Sequence, residues 1–294
     1  MSQISTITSG LPTRQEITTA LREGGWLLLR QTRLDLPGFS AFFEPLCGKL
    51  TFDPARQFAS SVAQTVDAGQ EAVGLHIENG NTPLPPDLVA FFSARSASEG
   101  AQTTICDGAA VYRALPAKLR EHFAQPYTMT RRLPQIIWQR YVAKAMHIDD
   151  ESSVSLEQLA RFIDSVPGQS YELEKDGSIC YHLRLSAIRD DNVANTPAFA
   201  NALLGPSYNY EPPSYRLADG GRLEQALLDE LAAICETFTE EIQWRDGDIA
   251  IIDNKRCLHG RRAIPVPLSE RDLYIAMGSG APAIDAAHDK EHAA

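Results

Sequence analysis

The longest apolar runs in this chain are short: "WLLL" at Trp26 to Leu29 and "IAII" at Ile249 to Ile252. Neither approaches the roughly 20 residues that a membrane helix requires. Turn-forming residues flank both, so they read as strands. "LVAFFSARS" reads as a further buried strand between the turn-rich loop "NGNTPLPPD" and the turn "SEGAQ", and "TTIC" as the strand after it. Helical patterns interrupt these strands. In "TRQEITTALREGG", Thr13 and Glu16 form a capping box and Gly24 with Gly25 ends the helix. Phe39, Phe42, Phe43 and Leu46 recur at helical spacing, and Asp107 is placed to cap "GAAVYRAL" before Pro116. From about 125 to 222, strands at "YELE" and "SICYHLRLS" accompany a helix at "SLEQLARFIDSV", with Ser155 and Gln158 as its capping box. "LEQALLDELAAICETFTEE" predicts an amphipathic helix with Leu227, Leu231, Ile234 and Phe238 on one stripe. The expected fold is mainly β with α insertions, one domain over residues 1–280, followed by a small, polar tail at 281–294 expected to be disordered.

At 294 residues and 44% hydrophobic, the chain can bury a full core. A net charge of −11 argues against a nucleic-acid surface, because phosphate binding relies on clustered Lys and Arg, and the basic pairs here are short. Isolated basic groups in an acidic protein suit a small anion in a pocket. The start, "MSQISTITSG", lacks a basic segment followed by an apolar one, so a cytoplasmic protein is expected. The five scattered cysteines have no metal-ligand spacing and read as reduced, packed thiols.

The segment "VGLHIENGN" sets His76 and Glu78 two residues apart. On a strand both side chains would share a face. A buried imidazole beside a buried carboxylate is costly unless the two pair or bind a metal, so this pair alone reads either as structural or as two ligands. A second histidine, His259, follows the strand and turn "GDIAIIDN" far downstream. Two imidazoles and one carboxylate can cap one face of an octahedral metal and leave the opposite face open, a set suited to Fe(II) that takes a chelating cosubstrate and O₂. A chelating 2-oxo acid leaves a far carboxylate, for which a bidentate Arg is the best partner. Arg271, on the next predicted strand, and Thr103, past His76, fit that plan. Each also reads alone as an ordinary surface arginine or strand threonine.

These segments resemble the TauD/TfdA, clavaminate-synthase-like family of Fe(II)/2-oxoglutarate dioxygenases. The resemblance runs from about residue 24 to 280, through "LHIENGNTPLPPDLVAFF", "EGAQTTICDG", "TPAFANALLG" and "WRDGDIAIIDNKRCLHGRRA". It implies His76, Glu78 and His259 as catalytic iron ligands, and Thr103 and Arg271 as the clamp on the 2-oxoglutarate C5 carboxylate. It also implies a double-stranded β-helix, a jelly roll of the cupin kind, with helices outside. The activity it implies is hydroxylation or desaturation of an unactivated C–H bond in a small polar metabolite, expected to be a free amino acid or a related building block of specialised metabolism, with release of succinate and CO₂. The alternative is a metal-binding cupin without oxygen chemistry, a zinc hydrolase or isomerase or an organic-acid sensor, which has no use for Arg271 and Thr103.

Two departures narrow this reading. Sulfonate-oxidising members carry a second arginine four residues after the 2-oxoglutarate arginine, where this chain has Ile275, which argues against a taurine-like substrate. Halogenating relatives replace the carboxylate ligand by Gly or Ala, whereas Glu78 keeps that position filled. Candidate substrate contacts are Asn79, Asn201 and Arg261, each with an ordinary structural reading beside it. If the strand continues past His259, Arg261 faces inward and Arg262 away. Cys257 reads as a packed thiol, since a soft thiolate would alter an iron site built for O₂. Trp138, Tyr141 and "SYNYEPPSY" are expected to wall the substrate pocket.

Overall fold

The computed structural model describes residues 6–7, 10–189, 193, 196–205 and 212–280. The tail expectation for 281–294 therefore lies outside the described residues. In chain order the elements begin with β1 (Thr6–Ile7), α1 (Arg14–Gly24), β2 (Trp26–Leu29), α2 (Leu36–Phe43), β3 (Lys49–Thr51) and β4 (Ala63–Thr65). Then come β5 (Val73–His76), β6 (Leu88–Arg95), β7 (Thr103–Asp107), α3 (Gly108–Ala114), α4 (Ala117–Phe123) and β8 (Tyr127–Leu133). A helical insertion follows, α5 (Gln135–Met146) and α6 (Leu156–Ser165), with β9 (Gln169–Leu173), β10 (Ile179–Leu185), β11 (Ile188–Arg189), β12 (Ala198–Phe199) and β13 (Ser214–Arg216). The chain closes with α7 (Gln225–Glu236), β14 (Thr239–Ile242), β15 (Asp248–Asp253), β16 (Cys257–Arg261) and β17 (Asp272–Ser279).

A seven-stranded sheet runs β1-β2-β15-β6-β17-β3, with β4 also paired to β17, and a four-stranded sheet runs β14-β7-β16-β5. The continuous apolar runs follow from the central strands of the larger sheet being covered on both faces. Leu27 and Leu29 of β2, Ala90 and Phe92 of β6, and Ile249 and Ile251 of β15 pack on one side with α1 and α2. Their neighbours Leu28, Phe91, Ala250 and Ile252 point the other way and meet Ile105 and Cys257 of the smaller sheet. A strand buried on both faces needs an apolar residue at every position, which is why these runs do not alternate.

A second core joins α3, α4, α5, α6 and α7 to the sheet β13-β8-β10-β9. Capping is as expected: Thr13 with Glu16 and Ser155 with Gln158 both form reciprocal boxes, and Asp107 accepts from the Ala109 amide. Gly25 stops α1 in the left-handed region at φ 78°. One expectation fails and one helix goes unread. The long helix at 223–241 ends at Glu236, and Thr239–Ile242 instead forms an edge strand on β7. Helix α5 is absent from the sequence reading because its apolar positions surround the helix, with Ile136 exposed and Trp138 and Val142 buried. Among the described residues no helix is long and apolar enough to cross a membrane.

Asp253, buried at the end of β15, carries a penalty for this packing. Burial pushes its carboxyl up from 3.8 to about 6, against amide hydrogen bonds from Lys255 and Val193 and the charges of Arg256 and Lys255. Its Oδ2 has no hydrogen-bond partner among the described residues. Because the folded-state value is raised, the native state holds the proton longer than the unfolded chain, and stability falls as pH rises from about 4 to about 6. Asp253→Asn is therefore expected to stabilise the protein at neutral pH by up to about 3 kcal/mol, with the gain vanishing near pH 4. Thermal unfolding of both proteins at the two pH values checks this, and a variant less stable than wild type at neutral pH contradicts it.

Candidate metal centre and cosubstrate pocket

Antiparallel pairing of β16 with β5 sets His259 directly opposite His76. Their rings lie 4.7 Å apart between centroids. Strand β5 ends at His76, so Glu78 does not share a strand face with it; Glu78 lies in the turn that follows, where Asn79 takes φ 53°. The turn is nevertheless fixed. Asn254, from the β15–β16 turn, accepts from the Glu78 amide at 2.8 Å and donates to the carbonyls of Glu78 at 3.1 Å and Pro86 at 2.8 Å. The Ile77 amide donates to Asn201 O at 2.9 Å. Gly205 lies so close that a Cβ there would sit 2.7 Å from His76 Cβ, so only glycine lets this loop pack against the histidine. As a result, one ligand-capable atom from each of His76, Glu78 and His259 lies within 4.8 Å of the other two.

The electrostatics suit a divalent cation. His76 Nδ1 lies 2.8 Å from Gly74 O, and donation there leaves Nε2 as the lone-pair nitrogen. Burial, then the neighbouring His259, lowers His76 to about 4, so the ring is neutral. Burial of Glu78 opposes its ionisation, but Arg56 and the hydrogen bond from His259 outweigh it and hold the carboxyl well below the usual range. Arg56 Nη2 donates to Glu78 Oε1 at 3.0 Å, while Oε2 lies 3.3 Å from His259 Nε2. His259 Nδ1 is buried without a hydrogen-bond partner among the described residues. Two neutral-capable imidazoles and an ionised carboxylate, converging and partly unsatisfied, are a fitting donor set for a metal with open positions.

These residues border a cavity of about 450 Å³, open to the centre of a water-sized sphere. Thr103, the first residue of β7, and Arg271, immediately before β17, line the same cavity. Thr103 Oγ1 accepts from Trp244 Nε1 at 2.9 Å, which leaves its hydroxyl proton to donate elsewhere. Arg271 is 9% exposed, and its guanidinium has no hydrogen-bond or ion-pair partner among the described residues. Burial, then nearby Arg261, lowers it to about 10. A buried guanidinium beside a hydroxyl donor is a site for a carboxylate.

The family model described as "Taurine catabolism dioxygenase TauD, TfdA family" matches residues 6–277. The chain belongs to the TauD/TfdA family. Enzymes of this family use Fe(II), 2-oxoglutarate and O₂, and this TauD/TfdA chain is an Fe(II)/2-oxoglutarate-dependent dioxygenase. Similar solved structures include a taurine dioxygenase from Burkholderia xenovorans, 15% identical with a TM-score of 0.60, covering 95% of this chain and 87% of that one. AAD-2 in complex with Mn(II) and N-oxalylglycine is 15% identical with a TM-score of 0.59, covering 95% of each chain. At these identities they show a shared fold. No curated protein sequence matches the chain.

The other sequence candidates of this TauD/TfdA chain divide. Asn79 lines the cavity. Asn201 does not: its Nδ2 donates to Ala187 O and its Oδ1 accepts from the Leu203 amide, so the amide is spent on its own loop. Arg261 reaches the cavity wall, but one of its nitrogens donates to the carbonyls of Ala68, Gly69 and Glu71, which gives it a structural role in pinning that loop. Arg262 turns outward to Glu236 and Glu241. Cys257 packs in the inter-sheet core, and Ile275 is buried there without lining the cavity. Sequence reasoning missed Arg56, Asn254 and Trp244. Arg56 sits in "DPARQ", which carries only a turn signal.

Proposed function

We propose that His76, Glu78 and His259 bind Fe(II), and that Arg271 with Thr103 holds the far carboxylate of 2-oxoglutarate. We read the two facing sheets as a double-stranded β-helix of the cupin kind, in one domain. The observation that carries this reading is the buried Arg271 guanidinium, without a partner among the described residues, in the same cavity as the convergent His-Glu-His set. A zinc hydrolase or isomerase that binds no organic acid would gain nothing from burying that charge beside Thr103.

The bound iron and 2-oxoglutarate supply the oxidising power with O₂, and the protein's residues bind, orient and exclude solvent. Asn254 fixes the Glu78 backbone and Arg56 its carboxylate, the hydrogen bond to Gly74 O fixes the His76 ring, and Phe91 packs edge-on against His259 at 5.3 Å. The substrate is a small polar metabolite, a free amino acid, hydroxylated or desaturated at an unactivated C–H bond. Asp53, Arg56 and Arg131 give the cavity wall both signs of charge, which supports a zwitterion. The apolar, buried Ile275 supports a substrate without a sulfonate.

Anaerobic addition of Fe(II) and 2-oxoglutarate is expected to give a visible charge-transfer band, followed by succinate once air and substrate are admitted. No band and no succinate would refute the reading. Mass spectrometry of the product separates a gain of oxygen from a loss of two hydrogens.

A further inference from the structure

Beside the metal cavity lies a second, smaller chamber with a different character. It sits between β8, β10, α5 and α6, outside the two facing sheets. Asn81, Thr82, Arg131 and Tyr141 line both spaces, so they form a neck between the two. Beyond that neck the walls are Met129, Trp138, Val142, Leu159, Ile163 and Ile179, all buried and apolar. The polar atoms that reach the chamber's far walls are already used. Trp138 Nε1 donates to Gly177 O at 3.0 Å, and Tyr181 OH donates to Gln169 Oε1 at 2.7 Å. Among the described residues, these two polar groups of the far walls therefore already have partners within the protein.

We propose that this chamber is a substrate subsite that takes an uncharged alkyl arm while the polar head stays in the metal cavity. The inference rests on the amino-acid reading above and makes it more specific. The arm's length follows from the space. The chamber offers about 50 Å³ to the centre of a water-sized sphere, and one water-sized group needs about 10–15 Å³ on that measure, so roughly four carbons fit. A charged or hydroxylated arm of equal length would be stripped of water without a partner. The substrate is therefore an amino acid with an aliphatic side chain of about leucine or norleucine size. The neck, with Arg131 and Asn81 on its rim, separates the arm from the charged end and fixes which carbon lies nearest the metal cavity.

The test is titration calorimetry on wild-type protein, with and without Mn(II) and N-oxalylglycine, using glycine, L-alanine, L-norvaline, L-norleucine, L-leucine and L-lysine. Affinity is expected to rise about fourfold for each added buried carbon up to norleucine. L-lysine, of similar reach but charged at its end, is expected to bind at least about tenfold more weakly than norleucine. Val142→Trp, which fills the chamber, is expected to remove the gain from alanine to norleucine and leave alanine binding unchanged. Leu159→Phe is the milder filling variant if the first fails to fold, and the lysine comparison needs no variant at all. A flat series, lysine binding as tightly as norleucine, no binding by any amino acid, or a filled chamber that keeps the chain-length gain would each overturn the subsite. Failure to take up Mn(II) and N-oxalylglycine would instead count against the metal and cosubstrate assignment, and the chain-length series in unloaded protein would still judge the chamber.

Discussion

Arg271→Leu is expected to raise the concentration of 2-oxoglutarate needed for half-saturation by at least about 30-fold while leaving the unliganded protein as stable as wild type or more so. Removing one partner of a buried, hydrogen-bonded charge pair costs about 2–5 kcal/mol of binding, and the lower end of that range sets the 30-fold figure. The stability half of the expectation comes from the unliganded state. There the guanidinium is buried with no partner among the described residues and lies near a second arginine, Arg261, so it contributes desolvation cost and repulsion. A leucine keeps much of the volume and removes both. An arginine with a purely structural role would give the opposite pattern, lower stability with little change in cosubstrate affinity. Calorimetric titration of the Fe(II)-loaded variant with 2-oxoglutarate, together with a melting curve, reads both quantities, and unchanged affinity would remove Arg271 from the clamp.

His259→Ala is expected to abolish stoichiometric metal binding and leave the fold intact. Partners that merely orient a metal ligand are typically worth 10–100-fold in affinity, so loss of one of the three proposed ligands is expected to exceed about 100-fold. The histidine sits at the centre of the constellation, opposite His76 across the β5–β16 pairing, beside Phe91 and 3.3 Å from Glu78. Its backbone pairing is independent of the side chain, so the strands stay in register. Glu78 keeps Arg56 as a partner, so its charge is not abandoned in the core. Metal content after loading and dialysis, with circular dichroism as the control for folding, decides this. One retained equivalent of metal at wild-type affinity would show that His259 is not a ligand.

The sequence made the chemistry of the site legible more readily than its construction. His76 and His259 were readable because strand and turn signals flank each, and they do meet across a strand pair. The reason given for Glu78 was wrong, since the strand stops at His76 and a turn carries the carboxylate. A period of two cannot reveal that, because the turn is held by Asn254, which is near Glu78 only after folding. Arg56 was illegible for the same reason, being a loop residue whose partner is chosen by tertiary packing. Asn201 illustrates the reverse error: an amide read as a substrate contact is consumed by its own loop, although its carbonyl does hold Ile77. The apolar strands announced themselves because two covered faces leave no polar position to confuse the pattern. Helix α5, which forms part of the proposed side chamber, was hidden because exposed Ile136 blurs its periodicity.

Asn254 ties the turn that carries Glu78 to the turn that opens the strand carrying His259. The two halves of the candidate metal site are thus joined by protein hydrogen bonds, and the bridge does not depend on an ion. Metal uptake then has little folding to drive, and its effect on thermal stability should follow mass action, growing with the logarithm of free metal concentration. With the bridge made by Asn254, removal and return of a metal at the proposed site is expected to leave the fold in place, which circular dichroism of chelated and reloaded protein checks.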